Sequence, residues 1–489
     1  MLRSTRALAS STRAALRTGQ KGYASVSAPL VDARPSTNTV KHTYHKSLSN
    51  IPETKVTKLS NGFTIASEAN SNNQTATVGV WINAGSTSET ARTNGAAHFL
   101  EHLAFKGTKS RTQKELETQV ENIGGHFGAY TSREQSAYYA QTLSSDVGTA
   151  VEILADVLHG SALNSDAIER QRELILAEVE KYENNSDKSE IVFDHLHASA
   201  FQRSPLARTI FGPTENIKSL TREDLATYVS ANFSPEKMVL SAAGGVEHDA
   251  LVKLAEKHFG ALEVSTVVTG KKEKTKFFGS DLRARFDANP TAHVILAVEG
   301  ASWTSPDYWA LQVAQSIVGS WDRSLGAAPH VSSKLAQQIS KWKLANSFSA
   351  FSTAYNDTGF FGVYAVSEAK MNLDDLIHYI QQEWHRLAMS VTAAEVFRAK
   401  NQLKTSMHLA LADGTNPIAD DIGRQMLAYG KRLSPWEIDG LIEKVTAADV
   451  MKVARQYIYD QEVCMIGHGP VESLPDYNRV RSAQSPIYY

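Results

Sequence analysis

A weak internal repeat constrains the fold of this 489-residue chain more than any other feature. The segment that begins at Leu220, LTREDLATYVSANFSPEKMVLSAAGG, aligns with the segment that begins at Val445, VTAADVMKVARQYIYDQEVCMIGHGP, at a constant offset of 225 residues. Upstream, residues 165–175 resemble residues 393–403 at a similar spacing. A duplication of this length indicates two copies of one fold joined in tandem.

Each copy combines strand patterns with helix patterns. In the first copy, short apolar alternations around Asn61 and Gly62 indicate a hairpin, and residues 75–83 and 238–245 have the composition of buried strands. Residues 126–141 are aromatic and β-branched and predict one further strand. Helical patterns cover residues 94–106, 112–123, 146–159 and 164–183. We therefore expect an α+β fold with two tandem homologous domains, each a mainly antiparallel sheet backed by helices.

Composition excludes several classes of protein. The chain has 50 basic and 52 acidic side chains, so no overall positive charge suggests nucleic-acid binding. Its single cysteine, Cys464, allows neither an internal disulfide nor a four-thiolate zinc site. We find no uninterrupted apolar stretch near 18 residues, and so predict no membrane span.

The N-terminus has the composition of a mitochondrial presequence. Residues 1–31 contain four arginines and one lysine but no acidic residue, and a helix would place the arginines on one face. A disordered basic tail is the alternative interpretation. The segment Lys21-Gly22-Tyr23-Ala24-Ser25 resembles a matrix cleavage site, so we predict that residues 1–23 are removed. The remaining chain would carry a net charge of −7.

The strongest local motif is His98-Phe99-Leu100-Glu101-His102. In a helix, His98 and His102 lie one turn apart, so their imidazoles project together and can bind one divalent metal ion. Glu101 lies beside them and is placed to accept a proton from a water molecule. This is the inverted zinc-protease pattern, H-x-x-E-H, although two histidines on a surface helix would have the same spacing.

A hydrolytic zinc site needs a third protein ligand, and a carboxylate from another helix is expected. The helical segment 168–182 has a stripe formed by Ile168, Gln171, Ile175 and Tyr182. Glu178 lies in line with this stripe, where a carboxylate is costly unless it is paired or bound to metal. Glu173 is a weaker candidate and Glu180 lies off the stripe. A solvated acidic helix remains the alternative.

Several segments resemble the inverted-motif zinc peptidases of the pitrilysin and insulysin type, and within them the β subunits that process mitochondrial presequences. These segments are GAAHFLEHLAFKGTKSRTQ, AYTSRE, IVFDHLHA, GPTENIKSL, KMVLSAAGGV and DIGRQM. In that family a glutamate about 76 residues after the second histidine completes the zinc site, and that position here is Glu178.

The resemblance implies an activity and its participants. It implies that zinc is bound by His98, His102 and Glu178 and that Glu101 is the general base. It implies that presequences are removed from imported precursors in the matrix, by a heterodimer with an α subunit. The α subunit has a Gly-rich loop that this chain lacks.

The resemblance also implies a substrate site. Matching positions place Glu190 and Asp194, four residues apart on a helix, against an arginine near the cleaved bond, and carboxylate–guanidinium pairing gives the physical reason. A surface acidic pair is the alternative. We expect strand 126–140 to be a sheet edge that binds extended substrate through main-chain hydrogen bonds.

Two positions depart from the family pattern. Gln171 stands where a second glutamate is usual seven residues before the metal-binding one, so tuning of the ligands around the metal would differ. Gly128 stands where an asparagine precedes AYTSRE, and it removes a side-chain contact from the edge strand. Neither position supplies a metal ligand.

The second half is expected to be inert, because the helix predicted opposite the metal-binding one, residues 306–319, contains no histidine or glutamate. The predicted parts are a presequence (1–23), an arm (24–53), a catalytic domain (54–262), a linker (263–282) and an inactive homologous domain (283–489). The competing hypothesis is a structural core subunit of ubiquinol–cytochrome c reductase (complex III) at the matrix face of the inner membrane, alone or in addition to the peptidase.

Overall fold

The computed structural model describes residues 48, 50–185, 187–264, 274–326, 330–368 and 371–485. The predicted presequence, residues 1–23, lies outside these residues, as does most of the predicted arm. The described residues from 50 onward form one compact unit, which contains every element named below.

The first sheet has six strands in the spatial order β1–β2–β6–β3–β5–β4. The strands are β1 (Lys55–Lys58), β2 (Thr64–Ala69), β3 (Thr75–Ile82), β4 (His126–Thr131), β5 (Ser136–Leu143) and β6 (Met238–Gly244). The pairing of β2 with β6 is parallel and the other four pairings are antiparallel. β6 is buried along its whole length, as its apolar sequence predicts.

The described residues of the first half form eight helices. They are α1 (Ala96–Leu103), α2 (Gln113–Asn122), α3 (Val147–Gly160), α4 (Ser165–Asn184), α5 (Ser189–Ala200), α6 (Thr214–Ser219), α7 (Arg222–Asn232) and α8 (His248–Phe259). α3 packs on β3 and β5, and α8 packs on β2. α1 lies between β4 and α4, so two helices and the edge strand meet around the predicted metal-binding motif.

The second sheet also has six strands, in the order β7–β12–β8–β11–β10–β9. They are β7 (Ser280–Arg285), β8 (Thr291–Gly300), β9 (Ser320–Asp322), β10 (Ser347–Ala354), β11 (Gly359–Glu368) and β12 (Cys464–Gly469). Its helices are α9 (Tyr308–Val318), α10 (Lys334–Trp342), α11 (Leu373–Met389), α12 (Ala393–Ala412), α13 (Thr415–Tyr429), α14 (Pro435–Lys444), α15 (Ala447–Tyr457) and α16 (Tyr477–Ser482). β7 pairs in parallel with β12, and the other pairings are antiparallel.

The two halves repeat each other in local detail. α7 and α15 both begin with a capping box, formed by Thr221 with Asp224 in the first half and by Thr446 with Asp449 in the second. Each helix leads to a buried strand that pairs in parallel with an earlier strand of its own sheet. The predicted α+β fold of two homologous, mainly antiparallel halves is therefore confirmed.

Each half lends one helix to the sheet of the other. α5 covers the second sheet, and its contacts join Val192, Leu196 and Ala200 to Ile295, Ala297, Phe360, Cys464 and Ile466. α13 covers the first sheet, and its contacts join Ala419, Ile422 and Met426 to Ala66, Trp81, Ala137, Val239 and Ala243. Both faces of each sheet are apolar, so neither half buries its own sheet completely.

A glycine permits one of these contacts. A Cβ atom at Gly423 would lie 2.3 Å from the ring of Trp81, well inside the normal contact distance. The absence of a side chain lets α13 approach the sheet, with the indole fully buried beneath it.

The prediction of one strand over residues 126–141 is wrong. The segment forms a hairpin, because Ser132 and Gln135 close a tight turn with a backbone hydrogen bond of 2.7 Å between Ser132 N and Gln135 O. The Ser132 hydroxyl also donates to Gln135 O, at 2.8 Å, and stabilises this turn. Of the two hairpin strands, β4 lies at the sheet edge and β5 lies between β4 and β3.

The end of the predicted linker, residues 263–282, belongs to the second sheet, because β7 begins at Ser280. Residues 265–273 of that range lie outside the described part of the chain.

Among the described residues, none of the helices combines the length and apolar character needed to cross a bilayer.

Candidate metal centre

The start of α1 is held by a carboxylate that sequence analysis missed. Gly95 precedes the helix with φ of 104° and has no side chain to cap it. Glu89, 5% exposed, supplies the cap, since Gly95 N donates to its Oε2 at 3.0 Å and Ala97 N to its Oε1 at 2.7 Å. Asn94 Nδ2 also donates to Oε2, at 2.7 Å. Burial raises the pKa of Glu89 to about 7 despite these hydrogen bonds.

The sequence gives no local indication that Glu89 caps α1, because Glu89 lies six residues before Gly95, which stands at the N-cap position. Its backbone oxygen accepts a hydrogen bond from Arg208, which is far away in the chain. The fold brings these groups together, and they fix the start of α1, two residues before His98.

Two histidines and one glutamate meet between α1 and α4. His98 Nε2 and His102 Nε2 lie 3.2 Å apart, and Glu178 Oε2 lies 3.0 Å from His102 Nε2 and 4.0 Å from His98 Nε2. These three are the one group of potential metal-ligating side chains that converges within the described residues. Glu173 and Glu180 are exposed on the same helix and are not part of the group.

The protonation of the group suits metal binding. Burial, followed by the neighbouring His102, lowers the pKa of His98 to about 4, so its imidazole is neutral at pH 7 and offers a lone pair. The hydrogen bond with His102 lowers the pKa of Glu178, which keeps that carboxylate ionised. Neutral imidazole and ionised carboxylate are the forms that bind divalent cations.

Glu101 lies beside this group without being part of it. Burial raises the pKa of Glu101, and hydrogen bonds from the hydroxyl and the backbone of Thr131 lower it in part. Thr131 is the last residue of β4, so the same contacts attach the predicted base to the sheet edge. A half-buried carboxylate of raised pKa is suited to accepting and returning a proton near neutral pH.

Gln171 lies two turns before Glu178 on α4 and is buried. Sequence reasoning expected it near the ligands, and the helix does place it on the same face. Gly128 lies in β4 opposite Tyr139, and a Cβ atom there would lie 2.8 Å from the tyrosine ring. The ring therefore occupies the space that a side chain at residue 128 would need.

The two predicted substrate-binding acids lie on α5 in different surroundings. Glu190 is exposed, whereas the Asp194 side chain is 22% exposed and forms an ion pair with Arg133 of the β4–β5 turn. Tyr182 of α4 lies near both acids. Burial raises its pKa, and the charges of Asp194 and Glu190 raise it further. The fold thus brings the acids close to the helix that carries Glu178.

Comparison with known proteins identifies the family. Residues 64–214 match the model of insulinase (peptidase family M16), and residues 219–403 match that of the peptidase M16 inactive domain. The chain is 53% identical to subunit beta of the mitochondrial-processing peptidase of Blastocladiella emersonii, over 91% of this chain and 95% of that one. It is 48% identical to the human subunit beta, over 88% of each chain.

A solved structure is also similar. A chain in complex III2 from Candida albicans, bound to Inz-5, matches with a TM-score of 0.79 and 30% identity, over 88% of this chain and 100% of that one. The matches to the family models cover more than half of the chain, and the relatives are similar over most of their length. The chain therefore belongs to peptidase family M16, in the group formed by the mitochondrial-processing peptidase β subunits.

Proposed function

We propose that this chain is the catalytic β subunit of a mitochondrial processing peptidase, a zinc endopeptidase that removes presequences from imported precursors. The observation that carries the proposal is the convergence of His98, His102 and Glu178, with Glu101 beside them. The names of relatives about 50% identical over nine-tenths of the chain support the substrate class.

The donor set fits zinc. Ligand atoms about 2.0–2.2 Å from a tetrahedral zinc ion lie roughly 3.3 Å from one another. The three separations here are 3.0, 3.2 and 4.0 Å, so small side-chain adjustments would complete one face of such a tetrahedron. Two imidazoles and one carboxylate are also the ligand types of hydrolytic zinc sites.

The proposed mechanism assigns a task to each residue. Zinc in this set would supply Lewis-acid chemistry that polarises a peptide carbonyl and makes water more acidic. Glu101 takes the proton of the attacking water on its carboxylate and returns it to the leaving amide nitrogen. Thr131 holds Glu101 in position for both steps.

The edge strand β4 is proposed to bind the substrate main chain. Within the part of the chain that the structure describes, its outer side has no neighbouring strand, so an extended peptide can add to it. Because β4 ends at Thr131, a peptide lying along it would pass the carboxylate of Glu101. Main-chain pairing demands little sequence, which suits presequences of varied composition.

Glu190 and Asp194 are proposed to bind an arginine of the presequence. Both lie near Tyr182, one helical turn after Glu178, and both are acidic. A guanidinium can bind two carboxylate oxygens at once, which gives orientation as well as affinity.

The remaining assignments follow the same proposal. The partner is an α subunit, supported by the subunit name of the relatives, and the location is the mitochondrial matrix after removal of residues 1–23. Residues 54–262 form the catalytic domain and residues 283–489 the inactive one. α9, the helix predicted opposite α1, has neither histidine nor glutamate.

A core subunit of complex III is the second candidate, favoured by the similarity to the chain of the Candida albicans complex. Mild detergent extraction of inner membranes, followed by size separation and peptide identification, distinguishes the two roles. If the protein migrates only at heterodimer size and never with cytochromes, the core role is wrong.

The peptidase is tested with the chain purified together with an α subunit, zinc and a presequence peptide. We expect cleavage at one site, and we expect Glu101→Gln to retain zinc while cleavage falls by at least about 100-fold. Near wild-type cleavage by that variant would refute the mechanism. Robust cleavage by the isolated chain would refute the need for the partner.

A further inference from the structure

Arg133 lies in the turn that connects the edge strand β4 to β5. One neighbouring segment holds the turn with two hydrogen bonds, since Ser86 N donates to Ser132 O at 3.3 Å and Thr87 N donates to Arg133 O at 2.8 Å. The backbone of Arg133 is therefore fixed two residues beyond Thr131, the residue that contacts Glu101.

The side chain of Arg133 turns inward and is only 10% exposed. Its Nη2 donates to Asp194 Oδ1, so it binds one of the two acids proposed to bind the substrate. The pairing leaves the donors of the guanidinium incompletely used, because Nε is buried and has no hydrogen-bond partner among the described residues. A buried arginine that is held for stability alone would normally satisfy this group.

The charges around this pair leave an excess of negative charge. Asp194 and Glu190 both act on Tyr182, and Arg133 opposes them. Glu134, the next residue in the turn, accepts a hydrogen bond from Asn356 N at 3.1 Å and adds a third carboxylate near Arg133 and Asp194. Three carboxylates thus act on the same tyrosines as Arg133, and Asp194 is the one that Arg133 contacts.

The turn also opens onto a cavity. Arg133 and Glu134 line a space of about 500 Å³ between the two halves, together with Tyr130, Trp303, Tyr355 and Arg424. Arg133 therefore has free space on one side, into which its side chain can move when it leaves Asp194.

We propose that in the free enzyme Arg133 pairs with Asp194, at the position that the substrate arginine takes when it binds. Substrate binding then exchanges one guanidinium for the other. The inference rests on the proposed function and adds to it a residue that sets substrate affinity. Exchange keeps Asp194 paired in both states, so neither state leaves its half-buried carboxylate without a cation.

The exchange sets the affinity for substrate. An entering arginine and an entering lysine must both displace the same guanidinium, so the internal competition weakens the binding of both by the same factor. The preference for arginine over lysine comes from the carboxylates themselves, because a planar fork of donors fits them better than a compact, strongly hydrated ammonium group.

The test uses the heterodimer and two presequence peptides that differ only in arginine or lysine at the site proposed to meet Asp194. The variants are Arg133→Gln, Arg133→Lys and, as a matched control, Arg398→Gln, an exposed arginine on α12. KM and kcat are measured for both peptides. Peptide affinity is measured separately by fluorescence anisotropy in the Glu101→Gln background, where cleavage is expected to be at least about 100-fold slower.

If the exchange occurs, Arg133→Gln lowers KM for the arginine peptide by about three- to tenfold with little change in kcat, because the internal competitor is gone. KM for the lysine peptide falls by the same factor, because both peptides displace the same guanidinium. Arg133→Lys moves both quantities in the same direction but less, and Arg398→Gln moves neither. In the Asp194→Asn background, Arg133→Gln has no further effect on KM.

The opposite pattern would overturn the inference. If Arg133 only braces the turn, Arg133→Gln lowers kcat or raises KM for both peptides. If Arg133→Gln does not fold, Arg133→Lys with KM unchanged for both peptides has the same meaning. Failure of the wild-type heterodimer to cleave presequences would instead refute the proposed function.

Discussion

At the scale of single residues, the position on one helix distinguishes two glutamates of identical chemistry. Glu178 Oε2 lies 3.0 Å from His102 Nε2, whereas Glu173 is exposed on α4. Glu178→Gln removes the anionic ligand, so we expect zinc affinity to fall by more than about 100-fold. Glu173→Gln is the matched control and should keep its zinc. Metal content after dialysis against graded chelator measures both, and equal loss in the two variants would contradict the assignment.

Glu89 provides a pH-dependent prediction at the same scale. Its folded pKa, about 7, lies above the ordinary value of 4.5, so the folded state holds the proton more tightly than the unfolded state. Stability from this group is complete below pH 4.5 and is lost as pH rises to about 7, by at most about 3 kcal/mol.

We therefore expect wild-type protein to lose stability relative to Glu89→Gln between pH 5 and pH 8. Urea unfolding of both proteins at several pH values, at constant zinc, measures the difference. If the wild type instead gains stability over this range, the hydrogen bonds from Gly95 and Ala97 outweigh burial of the charge.

At the scale of elements, the contact between α13 and the first sheet depends on Gly423. An alanine there would place its Cβ 2.3 Å from Trp81, and we expect Gly423→Ala to cost about 1–3 kcal/mol through overpacking. Gly440 of α14 is the matched control, because a Cβ there would have no atom of the described residues within 4 Å. Gly440→Ala should stabilise the protein by up to about 1 kcal/mol. Thermal unfolding measures both, and similar shifts would refute the packing argument.

At the scale of the whole molecule, the exchanged helices make each half incomplete. Without α13, the first sheet would expose the surface around Trp81, and without α5 the second would expose the surface around Phe360. Trp81 Nε1 and the Tyr130 hydroxyl also donate to Asp420 Oδ1 of α13, at 3.0 and 2.5 Å.

We therefore expect residues 50–264 and residues 274–485 to be insoluble or to expose apolar surface when each is produced alone. Produced together, they should form a soluble pair. Dye binding and size-exclusion chromatography of the separate and combined fragments measure this. Two fragments that fold independently, with no affinity for each other, would refute the dependence of the halves.

Much of the fold was predictable because its signals are local. The capping boxes at Thr221 and Thr446, the buried strand β6 and the spacing of His98 and His102 depend on residues close in the chain. The turn at Ser132 was missed, since the aromatic and β-branched composition continues on both sides of it. Its polar residues, Ser132 to Gln135, were the available signal.

The sequence by itself determined the repeated α+β architecture and identified the motif that carries His98, Glu101 and His102, because periodicity and short spacing encode both. The choice of Glu178 over Glu173 followed from helical periodicity and the family resemblance. Tertiary structure alone decided three further features. These are the capping of α1 by Glu89, the ion pair of Arg133 with Asp194, and the exchange of α5 and α13 between the sheets. These contacts join residues on elements that have no local pattern in common, and burial against a distant surface fixes their partners.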